Sequence, residues 1–298
     1  MQKDDSLAAG LALAMLGSVL FSGKAIVVKL AYRYGVDAAT LIALRMLFAL
    51  PVFILVCLYA SKGAPPLGNA DRLRILATGL IGYYGASYLD FLGLQYISAG
   101  LERLILYLNP TIVLVLSAVV LRYRIQRHEA LAFLLAYGGI AFALWHDLRI
   151  DGEDVLLGSA LVLGSAICYA IYLIGSGQLV RRTGALRLTS LAMLAATTGV
   201  AMQWLFSDVR AIVAQPPEVY WLSLFNALVC TVLPVFATMF AVERIGAGRT
   251  SVAAMVGPIS TIFLAWIFLD ESLSVWQAIG TVLVLAGIRM LSKSRADA

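Results

Sequence analysis

The sequence predicts an all-α membrane protein: ten transmembrane helices arranged as two inverted five-helix repeats. Three observations lead there. The first is composition. Hydrophobic residues make up 61% of the chain and charged residues 13%, whereas a soluble domain carries roughly 25% charged residues. A water-soluble core has no room for so much apolar surface, so the bilayer is part of the solvent. The second is a series of continuous apolar runs, each near the roughly 20 residues that cross the hydrocarbon. The third is an internal repeat. Gln95-Tyr96-Ile97-Ser98-Ala99-Gly100, followed by an apolar run to Asn109-Pro110, returns as Glu243-Arg244-Ile245-Gly246-Ala247-Gly248 and a run to Gly257-Pro258, 148 residues later. The same offset lays Gly10 on Gly158, Leu13 on Leu161, Ile26 on Ile174, Leu121 on Leu269, and Gly139-Ile140 on Gly287-Ile288.

The ten runs cover 8–30, 39–59, 74–96, 100–121, 129–145, 155–177, 186–206, 219–242, 247–269 and 275–292. None alternates apolar with polar positions, which excludes a β-barrel. The first run follows Asp4-Asp5 and is too long for a signal-peptide core, so it is a retained helix. Small residues crowd it (Gly10, Ala14, Gly17, Ser18, Ser22), and they recur in helix 6 as Gly158, Gly164, Ser165 and Ala166. Such faces let helices approach closely. In helix 2, Arg45 lies six residues in, a depth from which its stem snorkels outward. Helix 3 carries Tyr83, Tyr84, Tyr88 and Asp90; Tyr84 and Tyr88 share a face at i, i+4 spacing. Helix 4 holds Tyr107, Asn109 and Pro110, with Glu102 and Arg103 at its end as interfacial or gate residues. The fifth run is the shortest. Helix 6 adds Tyr169 and Tyr172, helix 8 Asn226, and helix 9 Met255 and Pro258.

Orientation follows from loop charge. Counting Arg289 at the end of the last run, fifteen Lys and Arg fall on the side holding the N-terminus, 60–74, 122–128, 178–187, 243–249 and the C-terminus, against five on the other. The basic side faces the cytoplasm, so both termini are inside. The acidic loop from Asp147 to Asp154 then lies outside and joins two repeats, 1–148 and 149–298, of one transport domain. Five helices per repeat is odd, so the second repeat enters from the opposite side. That inverted arrangement is common in secondary transporters, with the substrate site between repeats near the midplane.

The ten helices, the five-plus-five repeat and the Ala-Gly followed by Pro in helices 4 and 9 resemble the drug/metabolite transporter superfamily, EamA branch. Within that branch the chain is similar to the YddG-type amino-acid exporters. The resemblance implies a central cavity lined by helices 1, 3, 4, 6, 8 and 9, opening alternately to each side. It departs from the small multidrug exporters of the superfamily, whose helix 1 carries an essential Glu. Here the ionisable residue at depth in helix 1 is Lys24.

The expected function is export of amino acids, aromatic or apolar ones included, and similar small organic solutes across the bacterial inner (plasma) membrane. A phosphosugar or nucleotide-sugar carrier of the same fold is the alternative, and it would want several deep cations for phosphate, where the sequence offers Lys24. An intramembrane enzyme would need a nucleophile–base pair or metal ligands at depth. His128 and His146 fall in loops, and Cys57, Cys168 and Cys230 are far apart. The chain therefore calls for no catalytic residue, metal or cofactor. Its basic residues sit in short loops as topology signals, not as a nucleic-acid surface, and it is expected as a monomer in the bilayer. Pro110 and Pro258 break helices at repeat-related depths and free the carbonyls of Leu106 and Ala254. Those carbonyls, with Asn109 or Asn226, are placed to take an ammonium; Lys24 or tyrosine hydroxyls, a carboxylate. Tyr83, Tyr84, Tyr88, Tyr107, Tyr169, Tyr172 and Met255 form an adaptable wall. Lys24 and Asp90 lie at equal depth, about fourteen residues into helices 1 and 3, or roughly 21 Å. They are expected to pair, because an unpaired charge there costs at least about 2.5–3.5 kcal/mol.

Overall fold

The computed structural model describes residues 2–121, 130–131, 134–142, 153–176, 179–205, 210–254, 256–271 and 274–296. They form helices joined by short turns, with no strand among the described residues. His128, His146, Met255 and most of the Asp147–Asp154 loop lie outside them. Among the described residues, five helices are long and apolar enough to cross a membrane: Leu7–Tyr32, Ala38–Ser61, Asp154–Ser176, Ala185–Trp204 and Pro217–Ala241. Val256–Leu269 and Val275–Gly287 are apolar but shorter. The remaining runs of the sequence fall on interrupted helices or partly outside the described residues.

Helix α1 (Gln2–Tyr32) ends before Gly35, whose φ of 75° turns the chain. Such a left-handed backbone suits a residue without Cβ. Asp37 then caps α2 (Ala38–Ser61), accepting from the Thr40 amide at 2.9 Å. The third run is α3 (Asn69–Gly79), a π-helical turn (Leu80–Gly85) and α4 (Ala86–Gly93). The fourth is two helices. Ser98 caps α5 (Ala99–Leu106), the chain turns at Tyr107-Leu108, and α6 (Asn109–Leu121) restarts. Pro110 is thus the second residue of a new helix, where its missing N–H costs nothing, and not a kink inside a continuous one. Residues 134–142 form α7. There follow α8 (Glu153–Ser176), the short α9 (Leu179–Thr183), α10 (Ala185–Leu205), α11 (Arg210–Val213) and α12 (Pro217–Ala227). A second π-helical turn (Leu228–Val232) leads into α13 (Leu233–Ala253), and α14 (Val256–Leu269) and α15 (Val275–Ala296) complete the order.

The sequence places a loop at 243–249, but those residues are helical, within α13. Contacts along α1 show that the chain nevertheless reverses there. Cys230 lies at Gly23, Pro234 and Thr238 at Gly17, and Ile245 at Gly10. The Ala254 carbonyl then lies at Ser18, that of Gly257 at Ser22, and that of Leu269 at Arg33. The chain descends along α1 to Ile245 and climbs again from Ala254, so a single straight helix cannot include both ends.

Several features recur at the 148-residue offset. The π-helical turns begin at Leu80 and Leu228. Helix α14 begins just past Ala254, the counterpart of Leu106, where α5 ends. A Cβ on Gly10 would meet Ile245, and one on Gly158 would meet Ile97 at 2.7 Å. The counterpart of Ile97 is Ile245, so the two contacts are equivalent. Small faces on α1 and α8 thus allow matching close approaches, as their composition predicted.

Candidate functional site

The site is built on α1. Lys24, 5% exposed, extends its ammonium to Asp90 Oδ2 on α4 at 2.5 Å and to Glu102 Oε1 on α5 at 3.2 Å. The Lys24–Asp90 pair is the one that equal depth predicted. Glu102 was not expected in it. It is wholly buried, not interfacial, because Ser98 starts α5 with this face against α1. Its neighbour Arg103 is also buried. Arg103 Nε donates to Thr261 Oγ1 at 2.9 Å and its terminal NH2 to the Phe21 carbonyl at 2.8 Å. The Phe21 ring receives both cations, the Lys24 ammonium at 5.4 Å and the Arg103 guanidinium at 5.3 Å from its centroid.

Arg45 corrects a second expectation. It does not snorkel: it is 5% exposed, with its guanidinium 4.8 Å over the Phe91 ring. Helix α2 packs against α4, α10 and α12, so the face carrying Arg45 looks into the protein. Three buried cations, Lys24, Arg45 and Arg103, therefore accompany two buried carboxylates, Asp90 and Glu102, leaving one positive charge in excess.

These groups border a cavity of about 370 Å³. Lys24, Arg45, Asp90 and Arg103 line it, together with Tyr83, Tyr107, Asn109 and Tyr169. The lining draws on α1, α2, α4, α5, α6, α8, α10 and α13 and on both π-helical turns; the contributions of α2 and α10 lie outside the helices expected to line it. One wall is aromatic. Tyr83 meets Tyr172 edge-on with centroids 4.8 Å apart, and Tyr172 stacks on Tyr169 at 5.8 Å. Tyr172 is buried behind this wall and does not line the cavity. Tyr84 and Tyr88 do share a face and stack at 6.2 Å, but away from the cavity; the Tyr84 hydroxyl donates to Gln203 Oε1 at 2.9 Å. Asn226 is buried in α12, with no partner for its Oδ1 and no place in the lining. Asn109 donates to the Ala166 carbonyl at 3.2 Å. Neither Pro110 nor Pro258 borders the cavity. The Ala254 carbonyl is not free for a substrate ammonium either, because it accepts from Ser18 Oγ at 2.6 Å and from the Tyr107 hydroxyl at 2.7 Å.

Beyond the cavity, hydrogen bonds and an ion pair gather around the C-terminus of α1. Lys29 donates to the Ile97 carbonyl at 2.8 Å and lies 3.1 Å from Glu271. Glu271 accepts from the Ala99 amide, the first of α5, at 3.1 Å. Arg33 donates to the Leu269 carbonyl at 3.2 Å. The ends of α1 and α14 and the start of α5 are held together by these bonds.

Two stretches, residues 8–145 and 156–293, match the model of the EamA-like transporter family. The chain belongs to this family. The two matches start 148 residues apart, the offset of the internal repeat. The chain is 32% identical to the uncharacterized transporter YcbK of Bacillus subtilis, over 92% of this chain and 89% of that one. It is 26% identical to the uncharacterized transporter YetK of the same organism, over 98% and 88%. A crystal structure with 16% identity superposes with a TM-score of 0.63, covering 95% of this chain and 97% of the other, and shares the fold. This EamA-family chain is a multi-pass membrane protein, and its relatives are named as transporters, not enzymes. Buried charges around a cavity are what a transporter needs to meet a polar solute inside the bilayer.

Proposed function

We propose that the protein is a secondary transporter that exports amino acids, aromatic and apolar ones included, and similar small organic solutes by alternating access. The observation that carries this reading is the cavity: about 370 Å³, lined from both halves of the chain, with charges of both signs beside an aromatic wall. Ligand pockets span roughly 300–1,000 Å³, so the volume suits a small solute. Charges of both signs suit a zwitterion, and the rings of Tyr83, Tyr107 and Tyr169 suit a variable side chain. Two inverted five-helix repeats, 1–148 and 149–298, are the frame; the matching π-helical turns, glycine contacts and family matches at offset 148 support it. The setting is the bacterial inner membrane with both termini cytoplasmic, on the strength of the loop charges. Binding is weak, in the millimolar range or about −4 kcal/mol, because a carrier that holds its solute tightly releases it slowly.

Counterflow in proteoliposomes against a panel of amino acids, sugars and quaternary amines tests the reading. Exchange of amino acids alone or foremost supports it; exchange of sugars or amines without amino acids sinks it. A second reading, the phosphosugar or nucleotide-sugar carrier, gains from Arg45 and Arg103, since the site holds three buried cations and not one. Against it, Lys24 already faces two carboxylates and Arg103 is spent on Thr261 and Phe21. A phosphate monoester panel in the same assay separates the two.

A further inference from the structure

Among the described residues, one buried cation at the cavity has no ion-pair partner. Arg45 lines the cavity, yet its Nε is buried without a hydrogen-bond partner. The three ion pairs among the described residues belong to Lys24 and Lys29, not to Arg45. Its guanidinium lies 4.8 Å over the face of Phe91, a contact that holds the plane without using its donors. An arginine stays charged and offers five N–H donors in a fixed fork. Burying that fork unpaired is costly unless something enters to meet it.

The surrounding charges point to what enters. Asp90 Oδ2 is taken by Lys24, which also faces Glu102, while Arg103 donates to Thr261 and Phe21. Lys24 faces two carboxylates and Arg45 has none within ion-pair distance, so the deficit of negative charge is local to Arg45 and the surplus stands at Asp90 and Glu102. A monovalent, planar, two-oxygen acceptor fits that deficit and the fork geometry. A phosphate dianion would overshoot it by one charge. Asp90 lines the same cavity and its Oδ1 has no hydrogen-bond partner among the described residues; it is an acceptor for an ammonium.

We infer that Arg45 is the receptor for the carboxylate of the transported solute, with Asp90 Oδ1 receiving its amino group. The inference rests on the amino-acid reading above and moves the carboxylate from Lys24, already occupied, to Arg45.

The test uses the full-length protein in proteoliposomes with three probes: L-phenylalanine, L-phenylalaninamide and benzoate. Wild type should prefer phenylalanine over its amide by about tenfold or more, the worth of a charge-assisted hydrogen bond. Arg45→Met should erase that preference by slowing the acid, and Arg45→Lys should keep part of it, retaining charge but not the fork. Wild type that handles acid and amide equally overturns the inference without reference to any variant. If phenylalanine is carried and Arg45→Met keeps the preference, the receptor is wrong and the amino-acid reading stands. If phenylalanine is not carried but benzoate is, with the same dependence on Arg45, the amino-acid reading falls and the carboxylate receptor stands. If neither is carried or bound by wild type, the receptor falls as well.

Discussion

Replacing Lys24 with Met should damage the protein more than removing either of its partners. In the native cluster one ammonium serves two carboxylates, Asp90 at 2.5 Å and Glu102 at 3.2 Å, all at least nine-tenths buried. Lys24→Met leaves both acids buried without their cation. Removing one member of a buried ion pair costs about 3–5 kcal/mol, and here two acids are stranded by one change. Glu102→Gln has the opposite character. It keeps the close Lys24–Asp90 bond, deletes the surplus carboxylate and preserves the shape, so the expected change is within about 1 kcal/mol. Asp90→Asn falls between, because Lys24 keeps Glu102. Adding Asp90→Asn to Lys24→Met should then recover part of the loss, since the second change removes a stranded charge. Reversible unfolding in mixed micelles, followed by circular dichroism, reads the four free energies. A Lys24→Met protein within about 1 kcal/mol of wild type, or one more stable than Glu102→Gln, would refute the reasoning. Strictly additive losses in the double variant would do the same, because independent sites add and coupled ones do not.

Other outcomes follow from the same geometry. A Cβ on Gly139 would meet the Gly280 carbonyl at 2.7 Å, whereas one on Gly138 meets nothing within 4 Å. Gly139→Ala should therefore cost about 1–3 kcal/mol by overpacking, and its neighbour Gly138→Ala should be neutral or stabilise by up to about 1 kcal/mol through helix propensity; unfolding of the pair checks this. Glu271→Ala removes the carboxylate at the start of α5 and should lower stability by about 1 kcal/mol, as for a lost helix cap, with Glu271→Gln losing less; the half-exposed Lys29 partner adds little. For orientation, single cysteines at Ser61 and Ser294 in a cysteine-free background should resist an impermeant thiol reagent in intact cells. Labelling of both from outside would reverse the topology.

Much of the frame was legible because it rests on two simple signals, apolar run length and one fixed offset. The Lys24–Asp90 pair was legible too, since depth along a helix can be counted from its start. Which way a residue faces was not. Helix α2 is apolar nearly all round, so nothing local told Arg45 to point at Phe91 and not at lipid. In the sequence Glu102 and Arg103 look like end residues because they stand near the start of an apolar run. Their burial depends on α5 being pressed between α1 and α14. A signal was available: charges inside apolar runs need partners, and Arg45, Lys24, Arg103, Asp90 and Glu102 nearly balance. The division of Tyr83 from Tyr84 and Tyr88 was hidden as well. The π-helical turn at Leu80–Gly85 resets the faces of that helix, and no proline announces it; at Leu228–Val232 Pro234 follows two residues on, a hint the sequence did offer.

Those two turns also bear on the protein's history. A π-helical turn is in effect a helix that has gained one residue. The same gain stands at Leu80 and again at Leu228. Two separate insertions at matching places require two accidents; one insertion in a half-length ancestor requires a single accident, copied when the gene doubled. On that account the widened turn is older than the present chain. The ancestral product on that account was a half-length protein that already carried it.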